Sequence, residues 1–134
     1  MQSQKKIISD EPLCVQKVER WQEYDFSGNL RHHKRIVRYR NGKKHGNLDL
    51  FIGGKIQIST PYVEGKRHGK ERTWFPNGTL ASFTMYVDGK EHGVHKTFDI
   101  DGSLAWWLKY NRGEVFDGEE NWGNNRENVR DNER

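Results

Sequence analysis

Glycine recurs in this chain in two interleaved ladders, and their shared period restricts the fold more than any other feature. The first ladder is GKKHG (42–46), GKRHG (65–69) and GKEHG (89–93), followed by the degenerate GEVFDG. Its leading glycines, Gly42, Gly65, Gly89 and Gly113, stand 23, 24 and 24 residues apart. The second ladder is SGNL (27–30), GGKI (53–56), NGTL (77–80) and DGSL (101–104), with intervals of 26, 24 and 24. The residues before these glycines are Asn41, Glu64, Asp88 and Arg112 on one ladder, and Ser27, Gly53, Asn77 and Asp101 on the other. Asn-Gly and Asp-Gly are strong hairpin signals, because both central positions of a type I′ turn take positive φ. Two turn signals per period of about 24 residues predict a repeat protein.

The segments between turn signals are eight to ten residues long, the length of strands and too short for ordinary helices. KERTWF (70–75) leads into Asn77-Gly78 and TLASFTMYV (79–87) leads out; VHKTFDI (94–100) and SLAWWLKY (103–110) repeat the pattern. Each repeat therefore reads as a β-hairpin. Strict alternation places Ile56, Ile58, Thr60 and Tyr62 in line with Leu80, Ser82, Thr84 and Tyr86, and with Leu104, Trp106, Leu108 and Tyr110, as the core face. An aromatic recurs five residues after each His-Gly glycine, at Phe51, Trp74 and Phe98, and is expected to face the repeated tyrosine across its hairpin. The other face carries Phe83, Met85 and Trp107 where a solvated surface would be polar. Either the sheet twists enough to bury both sides near its end, or these three are the candidate partner-binding residues, since exposed apolar area on a soluble protein usually means binding.

VERWQEYDF (18–26) supplies a further half-repeat before SGNL. From Gly28 to Gly42 is 14 residues, where later repeats have 11, and the excess predicts a bulge or a longer edge loop. Residues 1–17 carry weak signals, residues 18–122 form the hairpin-repeat domain, and the polar stretch 123–134 reads as a disordered tail.

A hydrophobic share of 32% is low for one thick core, but repeats can bury each unit mainly against its neighbours. With no run of 18 apolar residues, no signal-peptide core and the single Cys14, the expectation is a soluble cytoplasmic protein. The net charge of +4 is uneven. Residues 114–134 hold seven acids and three arginines, which leaves +8 on 1–113. Most of the excess lies in RHHKRIVRYRNGKKH (31–45), which has no acid. Arg31, Lys34, Arg35, Arg38, Arg40, Lys43 and Lys44 make it a candidate basic patch for the phosphates of nucleic acid or anionic lipid. Alternatively it protects a sheet edge, or meets the acidic end of a second copy.

The recurring pattern aromatic, x, Asn/Asp-Gly-x-Leu, then Tyr-x-x-Gly-Lys-x-His-Gly resembles the MORN repeat. It is similar in particular to the variant form found in bacterial antitoxin-like proteins and in repeat proteins of protists and large DNA viruses. The resemblance covers roughly residues 18–122. It implies an all-β fold, an elongated antiparallel sheet of consecutive hairpins, and a role in binding or scaffolding. It departs from the pattern in the lengthened first return, in GGKI, and in GEVFDG.

The in-register histidines His45, His68 and His92 raise a metal or catalytic reading. Equivalent positions in successive hairpins lie two strand spacings apart, about 9–10 Å, too far for nitrogens that must each sit about 2 Å from one zinc ion. They are expected to serve the turns, as are Gly46, Gly69 and Gly93. Cys14 and the serines lack a nucleophile motif, and the glycines form no phosphate loop. The expectation is a protein that is not an enzyme, with no cofactor and no small-molecule substrate. It would bind a protein partner or itself, as an adaptor or a structural piece of an assembly such as a viral particle. The alternatives are an antitoxin-like inhibitor of a cognate toxin and a binder of phosphate-bearing surfaces.

Overall fold

The computed structural model describes residues 13–116, and among them every regular element is a strand. The strands are β1 (Cys14–Tyr24), β2 (Leu30–Arg40), β3 (Lys43–Lys44), β4 (Gly46–Ile52), β5 (Lys55–Val63), β6 (Lys66–Arg67), β7 (Gly69–Trp74), β8 (Leu80–Val87), β9 (Lys90–Phe98), β10 (Leu104–Asn111) and β11 (Glu114–Val115). They form one open antiparallel sheet in the order β1-β2-β4-β5-β7-β8-β9-β10-β11, with β3 on β2 and β6 on β5. The chain is thus a meander of hairpins, as the two ladders predict. The first strand begins at Cys14, earlier than position 18. The expected polar tail lies outside the described residues.

The two ladders become two rows of turns on opposite margins of the sheet, and they differ in type. In the first row Asn41, Glu64, Asp88 and Arg112 have φ of +50 to +51° and the glycines after them +84 to +91°. That is the type I′ geometry expected. In the second row, at 27–28, 77–78 and 101–102, only the glycine has positive φ. There the amide of Gly28, Gly78 or Gly102 bonds the carbonyl three residues back, on Asp25, Phe75 or Asp99. These are type I turns closed by a glycine, and the reason is local. Pro76 is suited to the second position of a type I turn, while Asn77 Oδ1 and Asp101 Oδ1 accept the amides of Thr79 and Ser103. Gly53-Gly54, with φ of +61° and +83°, alone in this row makes a two-residue I′ turn.

Two recurring irregularities set which side chains share a face. His-Gly is a two-residue insertion against the preceding strand: pairing passes from Tyr62↔Arg67 to Ser59↔Arg72, and from Tyr86↔Glu91 to Thr84↔His95. The second is a one-residue bulge within each later hairpin. Phe51 pairs Ile56 and Leu50 pairs Ile58; Trp74 pairs Leu80 and Thr73 pairs Ser82; Phe98 pairs Leu104 and Thr97 pairs Trp106. Gln57, Ala81 and Ala105 are the extra residues.

That bulge overturns part of the strict alternation. A one-residue insertion moves everything beyond it to the other side. Ile56, Leu80 and Leu104 therefore lie with Phe83 and Trp107, and Leu104 packs against Trp107 with Phe98 beside them. The aromatics do not face the tyrosines either. Phe51, Trp74 and Phe98 meet Ile56, Leu80 and Leu104, whereas Tyr62, Tyr86 and Tyr110 sit opposite Gly46, Gly69 and Gly93. The excess in the first repeat makes no bulge: β1 and β2 pair without a shift from Cys14↔Arg40 to Tyr24↔Leu30, so the extra residues simply lengthen the hairpin.

The core is thin and divided between the faces. On the tyrosine face Val37, Thr60, Thr84 and Tyr86 are buried. The buried hydroxyls are bonded, Thr60 Oγ1 donating to Glu71 Oε2 at 2.7 Å and Thr84 Oγ1 lying 2.7 Å from His95 Nδ1. The third residue of each GKxHG copy turns toward this face. Lys44 lies over Tyr62 (5.0 Å to the ring centre), and Arg67 lies over Tyr86 (4.3 Å) while donating to its hydroxyl at 3.1 Å.

Candidate functional site

The repeated histidines are the chain's most chemical-looking motif, and their geometry is that of a tie between turns. His45 Nδ1 accepts the amide of Glu64 at 3.2 Å, His68 Nδ1 that of Asp88 at 3.2 Å, and His92 Nδ1 that of Arg112 at 3.1 Å. Beside each, the amide of the turn glycine bonds the carbonyl of the residue before the histidine: Gly65 to Lys44, Gly89 to Arg67 and Gly113 to Glu91, at 2.7–2.8 Å. Each turn thus holds both central amides of the next. With Nδ1 accepting, Nε2 of a neutral imidazole carries the proton. The 3.4 Å approach of Arg40 to His45 Nε2 is therefore a contact between two donors.

Gly46, Gly69 and Gly93 complete the motif at φ of +106°, +119° and +100°. A Cβ on Gly69 would lie 3.1 Å from Pro61 Cγ, so there backbone angle and space both require glycine.

The basic run does not form one patch. Alternation along β2 divides it between the faces, and β2 is an interior strand, covered by β1 on one side and β4 on the other, so protection of an edge is not its role. Arg31 and Arg35 lie on the tyrosine face and are matched there by acids. Arg31 Nε bonds Asp25 Oδ2 at 2.7 Å, and Arg35 bonds Glu19. The Arg35 guanidinium holds the Glu19 carboxyl below its usual range; the Asn29 amide, with Arg31, does the same for Asp25. Lys44 is on the same face, over Tyr62.

Lys34, Arg38, Arg40 and Lys43 go to the opposite face, where cations from later repeats join them. Register and alternation arrange this lysine face in rows running across the strands. Along the type I′ turns come Arg40, Lys43, Lys66 and Lys90; next to them Arg38, Lys70 and Lys109; then Arg72 and Lys96 beside Phe83 and Trp107; last, the apolar row Phe51, Ile56, Trp74, Leu80, Phe98 and Leu104. The acids among these positions of the described strands are Asp49, which binds Arg38 Nη1 at 2.9 Å, and Glu114 at the far margin.

Several lysines are held by packing of their stems. A Cβ added at Gly65, Gly89 or Gly113 would lie 4.0, 3.8 or 3.8 Å from Cβ of Lys43, Lys66 or Lys90, so each stem runs along the next turn and its ammonium projects. Lys34 lies over Phe51 at 4.7 Å and Lys70 over Phe83 at 5.6 Å. Burial pulls the Lys96 ammonium below the ordinary lysine range. Where the first hairpin overreaches the short Gly53-Gly54 turn, a groove of about 530 Å³ opens at the end of the apolar row, lined by Arg20, Trp21, His32, Lys34 and Phe51 among others.

Of the three expected partner-binding residues, Phe83 and Met85 are half-buried on this face. Trp107 is a correction: only 8% of it is exposed, because the bulge at Ala105 brings Leu104 onto its face, and its indole N–H has no hydrogen-bond partner among the described residues. It belongs to the core. Sequence reasoning passed over Lys66, Lys70, Lys90, Arg72, Lys96 and Lys109 as a surface. The available signal was the lysine repeated in every GKxHG. No family model matches the chain, and neither a curated protein nor a solved structure matches it.

Proposed function

We propose that this chain is a non-enzymatic hairpin-repeat module that binds another macromolecule through the lysine face of its sheet, as an adaptor or as a structural component of a larger assembly. The observation that carries this reading is the charge asymmetry of the two faces. On the tyrosine face Arg31 and Arg35 are bonded to Asp25 and Glu19, and Glu71 and Glu91 lie on that face as well, whereas the acids on the lysine face of the described strands are Asp49 and Glu114, set among rows of Lys and Arg. Like charges gathered on one side of a thin sheet repel one another, and a contact that neutralises them removes that repulsion. The histidines and glycines of the motif serve the turns, so the face is the part of each repeat left to vary. Resemblance to MORN repeats agrees with a binding or scaffolding role.

The test is affinity capture with three proteins, each verified as folded by circular dichroism: wild type, Lys66→Gln/Lys70→Gln/Arg72→Gln on the lysine face, and Lys17→Gln/Lys55→Gln on the tyrosine face. The reading expects the first triple substitution to lose the captured macromolecule and the second set to retain it. Capture indifferent to both would refute it.

A further inference from the structure

The lysine face has a second property that charge alone does not require. Its cations and its rings lie in parallel rows, basic along the type I′ turns and aromatic toward the opposite margin. Successive rows are two residues apart along a strand, about 6–7 Å, and the face runs about 40 Å across the nine strands of the continuous path. A ligand matching this pattern is long, negatively charged along one side and flat and apolar along the other.

We infer that the lysine face binds single-stranded nucleic acid laid across the strands, with phosphates along the rows of Lys66, Lys70 and Lys90 and bases against the rings of Phe51, Trp74 and Phe83. The inference rests on the reading of this face as the contact surface and names its occupant. Single-strand binders combine a cationic track for the backbone with aromatic side chains on which bases stack, and a sheet face is well suited to present both. Lys34 and Lys70 cover Phe51 and Phe83 in the unbound protein. Both are long, flexible side chains, able to move from ring to phosphate as a base takes their place, which exchanges a cation–π contact for an ion pair. The groove lined by Arg20, His32, Lys34 and Phe51 extends the track beyond the last ring and gives one base a deeper seat. A duplex would offer the phosphates without the faces of its bases. A bilayer fits less well, because the lysines lie over the rings and make the outermost layer of this face charged.

The probe is a fluorescein-labelled oligodeoxythymidylate of about 20 nucleotides, longer than the usual site of a single-strand-binding fold, titrated with the full chain and followed by anisotropy. With about five phosphates neutralised, affinity should fall about a hundredfold between 50 and 200 mM salt. Lys66→Gln/Lys70→Gln/Arg72→Gln should lower the salt slope by about 2, while Lys17→Gln/Lys55→Gln leaves it unchanged. Phe83→Leu should weaken binding about tenfold at fixed salt with the slope unaltered.

A duplex of equal length bound as tightly as the single strand, with Phe83→Leu silent, would overturn the single-strand assignment. So would binding to phosphatidylserine vesicles in place of the oligonucleotide. If the oligonucleotide does not bind but the triple substitution still abolishes capture of a protein, the nucleic-acid inference falls and the lysine-face reading stands. If neither assay responds to the triple substitution, both fall.

Discussion

Replacing His68 by alanine removes the acceptor for the Asp88 amide, a bond of 3.2 Å at an exposed turn, and leaves the Gly89 amide on the Arg67 carbonyl at 2.8 Å. Water can reach the released amide, so the loss should be that of an ordinary net hydrogen bond, about 0.5–1.5 kcal/mol. The imidazole side chain is 44% exposed, so its packing adds little. In urea, with a slope of about 2 kcal/mol per molar, the midpoint should fall by about 0.3–0.7 M with the slope unchanged. His68→Asn offers an oxygen at a similar height and should recover about half of the loss. Because the three histidines serve separate turns, His45→Ala, His68→Ala and His92→Ala should combine to about 1.5–4.5 kcal/mol. An unshifted midpoint for His68→Ala, or an asparagine variant no better than alanine, would refute the tie between turns. A wild-type midpoint that drops on adding a chelator would point to metal instead.

Gly69→Ala should destabilise more than Gly93→Ala by about 1 kcal/mol in the same assay. Both pay for a positive φ, but the new methyl meets the rigid ring of Pro61 at 3.1 Å in one case and the movable Met85 sulfur at 3.2 Å in the other. Trp107→Ala should cost about 3 kcal/mol, the low end for an aromatic core residue because one side of its small cluster is a single sheet, and Phe83→Ala should cost less. Burial holds His95 below its ordinary 6.5, so the folded state resists a proton that the unfolded state accepts. Stability from this residue is complete above that value and is lost as pH falls below it toward the folded pKa. Melting temperatures at pH 7.5 and 5.5 should differ more for wild type than for His95→Gln.

The period, the hairpins and the open antiparallel sheet were legible because turn chemistry is local: Asn41-Gly42 and Asp88-Gly89 announce themselves within two residues. The faces were only half legible. Alternation is a counting argument, and one inserted residue, at Gln57, Ala81 or Ala105, reverses it for every position beyond. Nothing about Ala81 or Ala105 marks a bulge, since alanine pairs in a strand as readily as it sits outside the pairing. That single miscount placed Trp107 on a surface and Leu104 opposite it. The basic run misled for a related reason: seven cations close in sequence are not close in space on a strand, where Arg35 and Lys34 point to different sides.

The turn row explains why the motif tolerates such different residues before its glycines. Asn41, Glu64, Asp88 and Arg112 all adopt φ near +50°, a conformation that costs a side-chain-bearing residue about 1–2 kcal/mol. Asparagine and aspartate bear that cost readily; glutamate and arginine do not. What offsets it at Glu64 and Arg112 is the pair of bonds received from the preceding turn, and these reach only backbone amides. Identity at that position is therefore free, whereas the histidine that accepts and the glycine that follows are not. The same logic applies one residue on. The lysine of GKxHG needs only its aliphatic stem to lie along the next turn, which leaves its charge unspent by the fold. Repetition then places Lys43, Lys66 and Lys90 at a pitch of about 9–10 Å along one margin, set by the spacing of strands. A regular row of charges is thus a consequence of how the repeats are fastened, and a ligand with regularly spaced phosphates is the kind that exploits it.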